Sequence, residues 1–309
     1  MNTLLRFSGL LAFTCAIMIS CNKPASKDTD DKDSTSYHFN DTLLVNQENP
    51  KIIEYRAFIH QLDSTDVASA LLATDKFKTL FANQSTGLCD SAYVVYQNLM
   101  DTIDLKINEK LGNDTTNYSA IYMGEPVSKK IKDFQTYLQK NGFKLSSSEG
   151  TVYIEQDRSF VVKNLSTMMS EPMKAYLLQI EKENREGFSE DAAITIKPKQ
   201  HVDRIIWYEN FIKANAGFIL IENCKNYKKA YLSYLLQGID NTPLYSDAEQ
   251  MTLEPYYATA FKYLLKTYPE AETTLLVTPY YEAIKQKQKA TINDLTKKYT
   301  IKGLIFSLN

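Results

Sequence analysis

Turn-forming residues are scarce in this chain. Only 10 glycines and 9 prolines occur among its 309 residues, about 6 % of the chain and roughly half the usual share. A sandwich or barrel of many short strands needs a turn at the end of each strand. The composition therefore argues against an all-β fold and predicts long elements, mainly α-helices.

Apolar residues recur at helical spacing along most of the chain. Ile52, Tyr55 and Ile59 form one such stripe, and the stripe over 67–81 completes a predicted helical hairpin. A long helix is predicted from Asp90, as its N-cap, to Gly112. Further helices are predicted over 127–141, 171–185, 202–215, 218–237, 255–266 and 271–287.

Two segments depart from the helical pattern. Phe143–Leu145 and Thr151–Glu155 carry β-branched and aromatic residues on either side of the turn-like Ser146–Gly150, which predicts a β-hairpin near the middle of the chain. The segment 299–308 is also apolar and β-branched. It is a candidate C-terminal strand, which would pair beside the hairpin.

The C-terminal third repeats itself at an offset of 53 residues. The matched pairs are Phe211 with Leu264, Ile212 with Leu265, Lys213 with Lys266, Tyr227 with Tyr280, and Ala230 with Ala283. Two helix-turn-helix units are therefore predicted. The unit resembles tetratricopeptide-like α-hairpins, with Phe261 and Pro269 at a suitable separation, although the loop 238–253 interrupts the period of that family. The expected fold class is mainly α, with an α-solenoid-like C-terminal part.

The beginning of the chain has the layout of an export signal. Arg6 is followed by an apolar stretch over 7–19, and Met18-Ile19-Ser20-Cys21 resembles the lipobox of bacterial lipoproteins. The resemblance implies a signal peptide over 1–20 and acylation, including palmitate, of Cys21 as the first residue of the mature chain. Asn22 replaces the aspartate that signals inner-membrane retention, so we expect an outer-membrane protein that is attached to the membrane through its lipid.

A polar tether follows the lipid-bearing cysteine. Residues 21–40 have no apolar periodicity and are expected to be disordered. The acidic run over 28–33 resembles the surface-export signal of Bacteroidota lipoproteins, and the alternative is a solvated linker, so both a periplasmic and a cell-surface orientation stay open. The folded part is divided at residue 143 into 41–142 and 143–309, or forms one continuous domain over 41–309.

Six triplets of Asp, then Ser or Thr, then a small or apolar residue resemble the O-glycosylation signal of Bacteroidota. Chance predicts only about one such triplet at this composition. The candidate acceptors are Ser34, Thr42, Ser64, Ser91, Thr102 and Thr115. The excess predicts a glycoprotein, although Asp-Ser and Asp-Thr pairs are also common in helix caps and turns.

Two cysteines remain in the predicted mature chain beyond the lipidated one. Cys89 and Cys224 would be exposed to a compartment in which disulfides persist, so they are a candidate disulfide. The alternative is that Cys224 packs as a small apolar side chain, because it shares a helical stripe with Tyr227 and Tyr231.

Motifs that carry common chemistry are absent from the sequence. There is no Gly-rich phosphate loop, Gly-x-Ser-x-Gly, His-Glu-x-x-His or Cys-x-x-Cys. The histidines are His38, His60 and His201, too scattered to form a local metal site, so no metal and no cofactor is expected. His201 and Asp203 have the spacing of a base and its orienting carboxylate, but both also suit a solvated first helical turn.

Composition bears on the partner. A net charge of −2 and a pI near 6.0 argue against nucleic acid. The 21 tyrosines are about twice the ordinary share, and in the doublets Tyr256-Tyr257 and Tyr280-Tyr281 at least one ring should lie at the surface. We expect a non-catalytic envelope lipoprotein that presents a helical protein- or glycan-binding surface. The alternative is an envelope or extracellular hydrolase that cleaves glycans or peptides with carboxylates not identifiable from sequence.

Overall fold

Helices dominate the structure, which is a computed structural model that describes residues 49–148 and 150–308. The helices within these residues are α1 (Pro50–His60), α2 (Ala68–Phe81), α3 (Thr86–Leu111), α4 (Ala120–Met123), α5 (Lys129–Lys140), α6 (Arg158–Leu165), α7 (Glu171–Glu186), α8 (Pro198–Ala214), α9 (Ile221–Gln237), α10 (Pro255–Thr267), α11 (Glu272–Lys285) and α12 (Lys289–Ile301). The mainly-α prediction is confirmed.

The strands form small antiparallel hairpins between the helices. They are β1 (Phe143–Ser148), β2 (Thr151–Gln156), β3 (Ser189–Glu190), β4 (Ala193–Ile194), β5 (Gly238–Ile239), β6 (Thr242–Pro243), β7 (Tyr245–Asp247) and β8 (Thr252–Leu253). The predicted central hairpin is confirmed as β1 and β2, which pair from Phe143 opposite Gln156 to Ser148 opposite Thr151.

Helix α3 is the long helix that the sequence predicts, but it begins earlier than expected. Ser85 is its N-cap, and the Ser85 hydroxyl accepts a hydrogen bond from the Leu88 amide at 3.4 Å. Asp90, the predicted cap, lies inside the helix and is buried. Its carboxylate instead accepts hydrogen bonds from the amide and the hydroxyl of Ser170, at 3.1 and 2.5 Å. Asp90 therefore holds the start of α7 and not the start of its own helix.

Two hairpins of helices, α8 with α9 and α10 with α11, occupy the positions that the 53-residue offset predicts. The first helix of each pair ends on the same backbone geometry, with φ −132° and ψ 50° at Asn215 and φ −129° and ψ 54° at Tyr268. In the second helices, Ala283 is buried and Ala230 is half-buried. The two helix-turn-helix units are therefore present.

A buried carboxylate ties the two helical hairpins together. Glu209 of α8 accepts hydrogen bonds from the backbone amides of Glu272 and Thr273, each at 2.8 Å. The Thr273 hydroxyl donates to it at 2.5 Å, and Lys228 lies 3.3 Å away. These amides are the unpaired donors at the start of α11, so α8 supplies the N-cap that α11 lacks in its own sequence.

The loop over 238–253 is structured, as its turn residues predict. It holds the β5–β6 and β7–β8 hairpins. Gly238 begins the first of them at φ +78°, and a Cβ at this position would lie 2.5 Å from the amide nitrogen of Leu244. Only glycine fits this close approach of two backbone segments.

The candidate C-terminal strand is wrong. Tyr299 belongs to α12, and residues 302–308 contain no strand. Ile292 and Tyr299 are buried two helical turns apart, and the Tyr299 hydroxyl donates to the Leu276 carbonyl at 2.8 Å. Packing of this stripe against α11 therefore outweighs the β propensity of the local residues.

Candidate functional site

Several predicted modification sites lie outside the residues that the structure describes. These are Cys21, Ser34 and Thr42. The signal peptide and the tether also fall in this part of the chain, so their predictions stand as made.

The four remaining candidate acceptors differ in accessibility. Ser91 is only 2 % exposed, and its hydroxyl donates to the Gly87 carbonyl within α3 at 3.0 Å. Thr102 is half-buried in the same helix, and Ser64 is half-buried and accepts a hydrogen bond from Lys106 at 2.6 Å. Thr115 is exposed between α3 and α4. A modifying enzyme cannot reach Ser91 in the folded protein, whereas it can reach Thr115.

The candidate disulfide is not formed in the structure, where Cys89 and Cys224 are both free and buried. The Cys89 sulfur faces the Phe81 carbonyl at 3.7 Å, at the contact of α2 with α3. Cys224 lies in α9, near Tyr176 of α7. Burial raises the pKa of Cys89 to about 11 and that of Cys224 to about 12, so both thiols stay protonated at neutral pH and are poor nucleophiles.

His201 and Asp203 do not act as a pair. His201 is fully buried, and its Nε2 lies 2.8 Å from the Tyr231 carbonyl. A carbonyl only accepts, so Nε2 carries the proton and Nδ1 accepts from the Tyr256 hydroxyl at 3.2 Å. Burial lowers the pKa of His201 to about 4. Asp203 instead accepts from Tyr263 and Tyr268, so neither the catalytic interpretation nor the solvated one fits His201.

A charged network fills the core where α7, α8 and α9 meet. The carboxylate of Glu183 accepts hydrogen bonds from Gln179 at 2.6 Å, Tyr231 at 2.8 Å and Tyr208 at 3.1 Å. Burial raises the pKa of Glu183, while the nearby Arg204 guanidinium and the three donors oppose that rise. Because these groups are enclosed, the network organises the fold and offers no surface to a ligand.

A second polar group reaches the surface, and we call it the α3 cluster. It consists of Gln97, Asp101 and Asp104 of α3, Gln156 of β2, and Arg158 at the start of α6. The three α3 residues have the spacing of one helical face. The β1–β2 hairpin and the first residue of α6 bring the other two members to that face.

Planar polar side chains make the hydrogen bonds of the α3 cluster. The amide nitrogen of Gln97 donates to Asp101 at 2.6 Å and to Gln156 at 2.8 Å. Gln156 in turn donates to the same oxygen of Asp101 at 2.8 Å. Nη1 of Arg158 donates to the side-chain oxygen Oε1 of Gln97 at 2.9 Å. These hydrogen bonds hold four of the five members, Gln97, Asp101, Gln156 and Arg158, in fixed orientations.

Exposure increases across the α3 cluster from Asp104 to Asp101. Asp104 is 7 % exposed, Gln97 and Arg158 are half-buried, and Asp101 is exposed. Burial raises the pKa of Asp104 to about 7, the Arg158 guanidinium opposes the rise, and the charges of Asp101 and Glu155 add to it. Near neutral pH, Asp104 is thus present in both protonation states, which is unusual for an aspartate.

Two tyrosines and a further carboxylate border the α3 cluster, and we call Tyr122, Tyr153 and Glu155 its rim. Tyr122 is 46 % exposed and Tyr153 is half-buried. Partial burial raises the pKa of both tyrosines, and the charge of the nearby Glu155 raises both further. Glu155 pairs with Lys144 at 3.1 Å and accepts from Asn184 of α7 at 3.3 Å.

Metal-ligand groups and surface depressions are the other features that could form a site in the described residues. No group of three or more His, Cys, Asp or Glu within 49–148 and 150–308 is arranged to hold a metal ion. A wide, shallow depression of about 250 Å³ lies between α4 and α5. Its lining is Thr116, Asn117, Ala120, Glu125, Pro126, Ser128 and Ile131, and it brings together no set of groups that suggests a reaction.

Comparisons with protein-family models, with curated proteins and with solved structures find no match for this chain. Among the helices of the described part, none has the length and apolar character that a bilayer span requires. The function must therefore be argued from the site itself.

Sequence reasoning missed the α3 cluster, although a signal was present. Polar residues at 97, 101, 104 and 108 lie on one face of a helix, and such a line ordinarily marks the solvent-facing side. Here the hairpin covers part of that face. The side chain of Asn108 donates to the Ile154 carbonyl at 3.0 Å and accepts from the Ile154 amide at 2.8 Å. It therefore pairs with β2 in the way that the backbone of a neighbouring strand would.

The raised pKa of Asp104 makes a pH-dependent contribution to stability. Between the ordinary value of 3.8 and about 7, the folded chain retains a proton that the unfolded chain releases, so this contribution falls as the pH rises. We expect Asp104→Asn, which can still accept from Asn108, to be more stable than the wild type at pH 8 by about 1 to 4 kcal/mol. The difference should shrink towards pH 4. Urea unfolding across this range measures it.

The control for this measurement is Asp294→Asn, which changes an exposed carboxylate on α12. Its effect on the free energy of unfolding should not vary with pH in the same way. A constant difference between Asp104→Asn and the wild type from pH 4 to pH 8 would show that Asp104 titrates as an ordinary carboxylate.

Proposed function

We propose that this chain is an outer-membrane lipoprotein that binds a carbohydrate at the α3 cluster and its rim. The observation that carries the proposal is the exposed side chain of Tyr122 close to Glu155, the rim carboxylate whose charge also acts on Asp104 of the α3 cluster. A sugar ring has an apolar C–H face and a polar edge, and it needs both kinds of partner from its receptor.

The rim suits the apolar face of a sugar. Tyrosine gives a large, rigid contact area at a small entropic cost, and its hydroxyl can stay hydrated. Tyr122 and Tyr153 are both close enough to Glu155 for its charge to raise the pKa of their hydroxyls, so both hydroxyls lie in the field of the same carboxylate. A ligand stacked on Tyr122 would therefore place its edge near that carboxylate.

The cluster suits the polar edge. Asp101 and Glu155 offer acceptors, while Arg158 and Asn184 offer donors, and these planar groups can engage neighbouring hydroxyls in pairs. Their existing hydrogen bonds hold them in place before a ligand arrives. Such pre-organisation lowers the entropic cost of binding.

A second candidate function, glycoside hydrolysis, is favoured by one observation. Asp104 has a pKa of about 7 and lies beside Asp101, whose charge contributes to that value. A protonated acid next to a second carboxylate is the arrangement that glycosidases use. Asp104 would donate the proton to the leaving oxygen, and Asp101 or Glu155 would be the second carboxylate.

Carbohydrate binding is tested with a panel of oligosaccharides that includes maltohexaose, xylohexaose and chitohexaose. We expect calorimetric titration to detect binding to at least one, and Tyr122→Ala to weaken that binding by roughly tenfold, the value of one stacking contact of about 1.4 kcal/mol. The matched control is Tyr137→Ala, because Tyr137 is an exposed tyrosine of α5.

Two results would contradict the binding proposal: no titration heat with any member of the panel, or the same loss of affinity in both tyrosine variants. Release of new reducing ends from the bound sugar, abolished by Asp104→Asn, would select the hydrolase. Binding without release selects the non-catalytic function.

The lipid anchor is proposed from the lipobox resemblance. Changing Cys21→Ala should remove the acylation site, so the protein should leave the membrane fraction and appear in the soluble fraction. Membrane fractionation of the native host measures this. Cys224→Ala is the control, and unchanged membrane retention of the Cys21 variant would disprove the anchor.

Glycosylation is proposed for Thr115, the exposed acceptor of the described region. Thr115→Ala should lower the intact mass of protein purified from its native host by the mass of one glycan. Ser91→Ala changes an equivalent triplet at a buried position and should cost only the oxygen atom of its hydroxyl. A native mass equal to that of the lipidated polypeptide would refute glycosylation altogether.

A further inference from the structure

The end of the α11–α12 hairpin carries two apolar side chains that the fold leaves uncovered. Ile301 is 76 % exposed and Leu275 is 67 % exposed, the highest values among the large hydrophobic residues of the described part. The hydrogen bond from Tyr299 to the Leu276 carbonyl places the last turn of α12 beside the first turn of α11. Both apolar side chains therefore lie at the same end of the hairpin.

Ile301 lies on the fully solvent-facing side of α12. Residues 290, 294, 297, 298 and 301 are all exposed, and their spacing is that of one helical face. Ile292 and Tyr299 occupy the opposite, buried face. Ile301 does not contribute to the core of the fold, so its apolar side chain is available to a partner.

Lysines lie at both ends of α12, and three of them, Lys297, Lys298 and Lys302, are near the apolar end. The segment 285–302 contains six lysines and one acid, Asp294. All six lysines are exposed. Of the acids on α11, Glu282 lies 2.5 Å from Lys285, and Glu272 lies 3.9 Å from Lys228, which is closer to Glu209. Five of the six lysines therefore remain against Asp294 and Glu272. The region is strongly positive in a chain of net charge −2.

We propose that this face, Leu275 and Ile301 with Lys297, Lys298 and Lys302, docks the folded part on an anionic bilayer surface. This rests on the lipid anchor of the proposed function, since an anchored chain always has a bilayer within reach. Each lysine near such a surface adds to the attraction, and exposed apolar side chains enter the interface between headgroups and acyl chains. Together they orient the carbohydrate site relative to the membrane.

The distribution of the charges favours a bilayer over a small anion. The helix of 13 residues is about 20 Å long at 1.5 Å per residue, and lysines occur at both of its ends. Among the described residues, no carboxylate lies within ion-pair distance of Lys297, Lys298 or Lys302. A broad, flat anionic surface can engage all of them at once, whereas a single phosphate cannot.

The test uses the chain from residue 22, which lacks the lipid-bearing cysteine, and vesicles of phosphatidylcholine with or without phosphatidylglycerol. We expect sedimentation with the anionic vesicles only, weakened by added salt. The triple variant Lys297→Glu, Lys298→Glu, Lys302→Glu should reduce the partition coefficient between water and the anionic vesicles by at least about tenfold. Ile301→Ser, which keeps every charge, should reduce it by about threefold.

The matched control is Lys129→Glu, Lys130→Glu, Lys132→Glu, which makes the same change of net charge on the exposed face of α5. Circular dichroism and urea unfolding establish that both triple variants fold. Equal losses in the two triple variants would overturn the proposal, because binding would then report net charge and not this face. Equal binding to neutral vesicles, or none to anionic ones, would overturn it as well. None of these results depends on carbohydrate or on acylation, so they leave the proposed function to its own tests.

Discussion

The buried carboxylate of Glu183 fixes the position of α7. This helix contacts both the helices α8 and α9 and the β1–β2 hairpin. Transfer of an ionised carboxylate from water into a protein core costs several kcal/mol unless donors replace its water. Gln179, Tyr208 and Tyr231 supply those donors from α7, α8 and α9. The next residue of α7, Asn184, donates a hydrogen bond to Glu155 of the β-hairpin, so the same helix also organises the surface beside the α3 cluster. The arrangement is specific because any other packing of these helices would leave a charge without partners.

The helices could be predicted because their apolar stripes are local in sequence, whereas several helix ends could not. Asp90 is a good N-cap residue and is predicted to begin α3, but the helix begins after Ser85. The structure uses Asp90 for the start of α7 instead, through Ser170, which is 80 residues away in sequence. At the end of the chain, β-branched residues suggested a strand, but Ile292 and Tyr299 form a buried stripe on α12 that packs against α11, and this packing favours the helix. In each case a contact distant in sequence outweighed a local preference.

The candidate site was harder to predict than the fold for a related reason. Gln97 and Gln156 donate and accept across 59 residues of sequence, and a polar line on a helix ordinarily means solvent. Only the docking of the β-hairpin turns that line into a set of oriented groups with a buried acid, Asp104. Cys89 and Cys224 show the opposite case: the predicted export suggested a disulfide, but each thiol is free and buried in the structure.

The cap that Glu209 provides for α11 limits how the number of helical hairpins in this fold can change. In many helical-repeat proteins each unit interacts only with its neighbours and supplies its own helix ends, so units are gained or lost with little effect on the rest. Here the first turn of α11 obtains its hydrogen-bond acceptor from α8. A duplicated or deleted hairpin would separate that carboxylate from its amides. Variation in the number of hairpins should therefore be rare, and change in this lineage should occur through surface residues and loops.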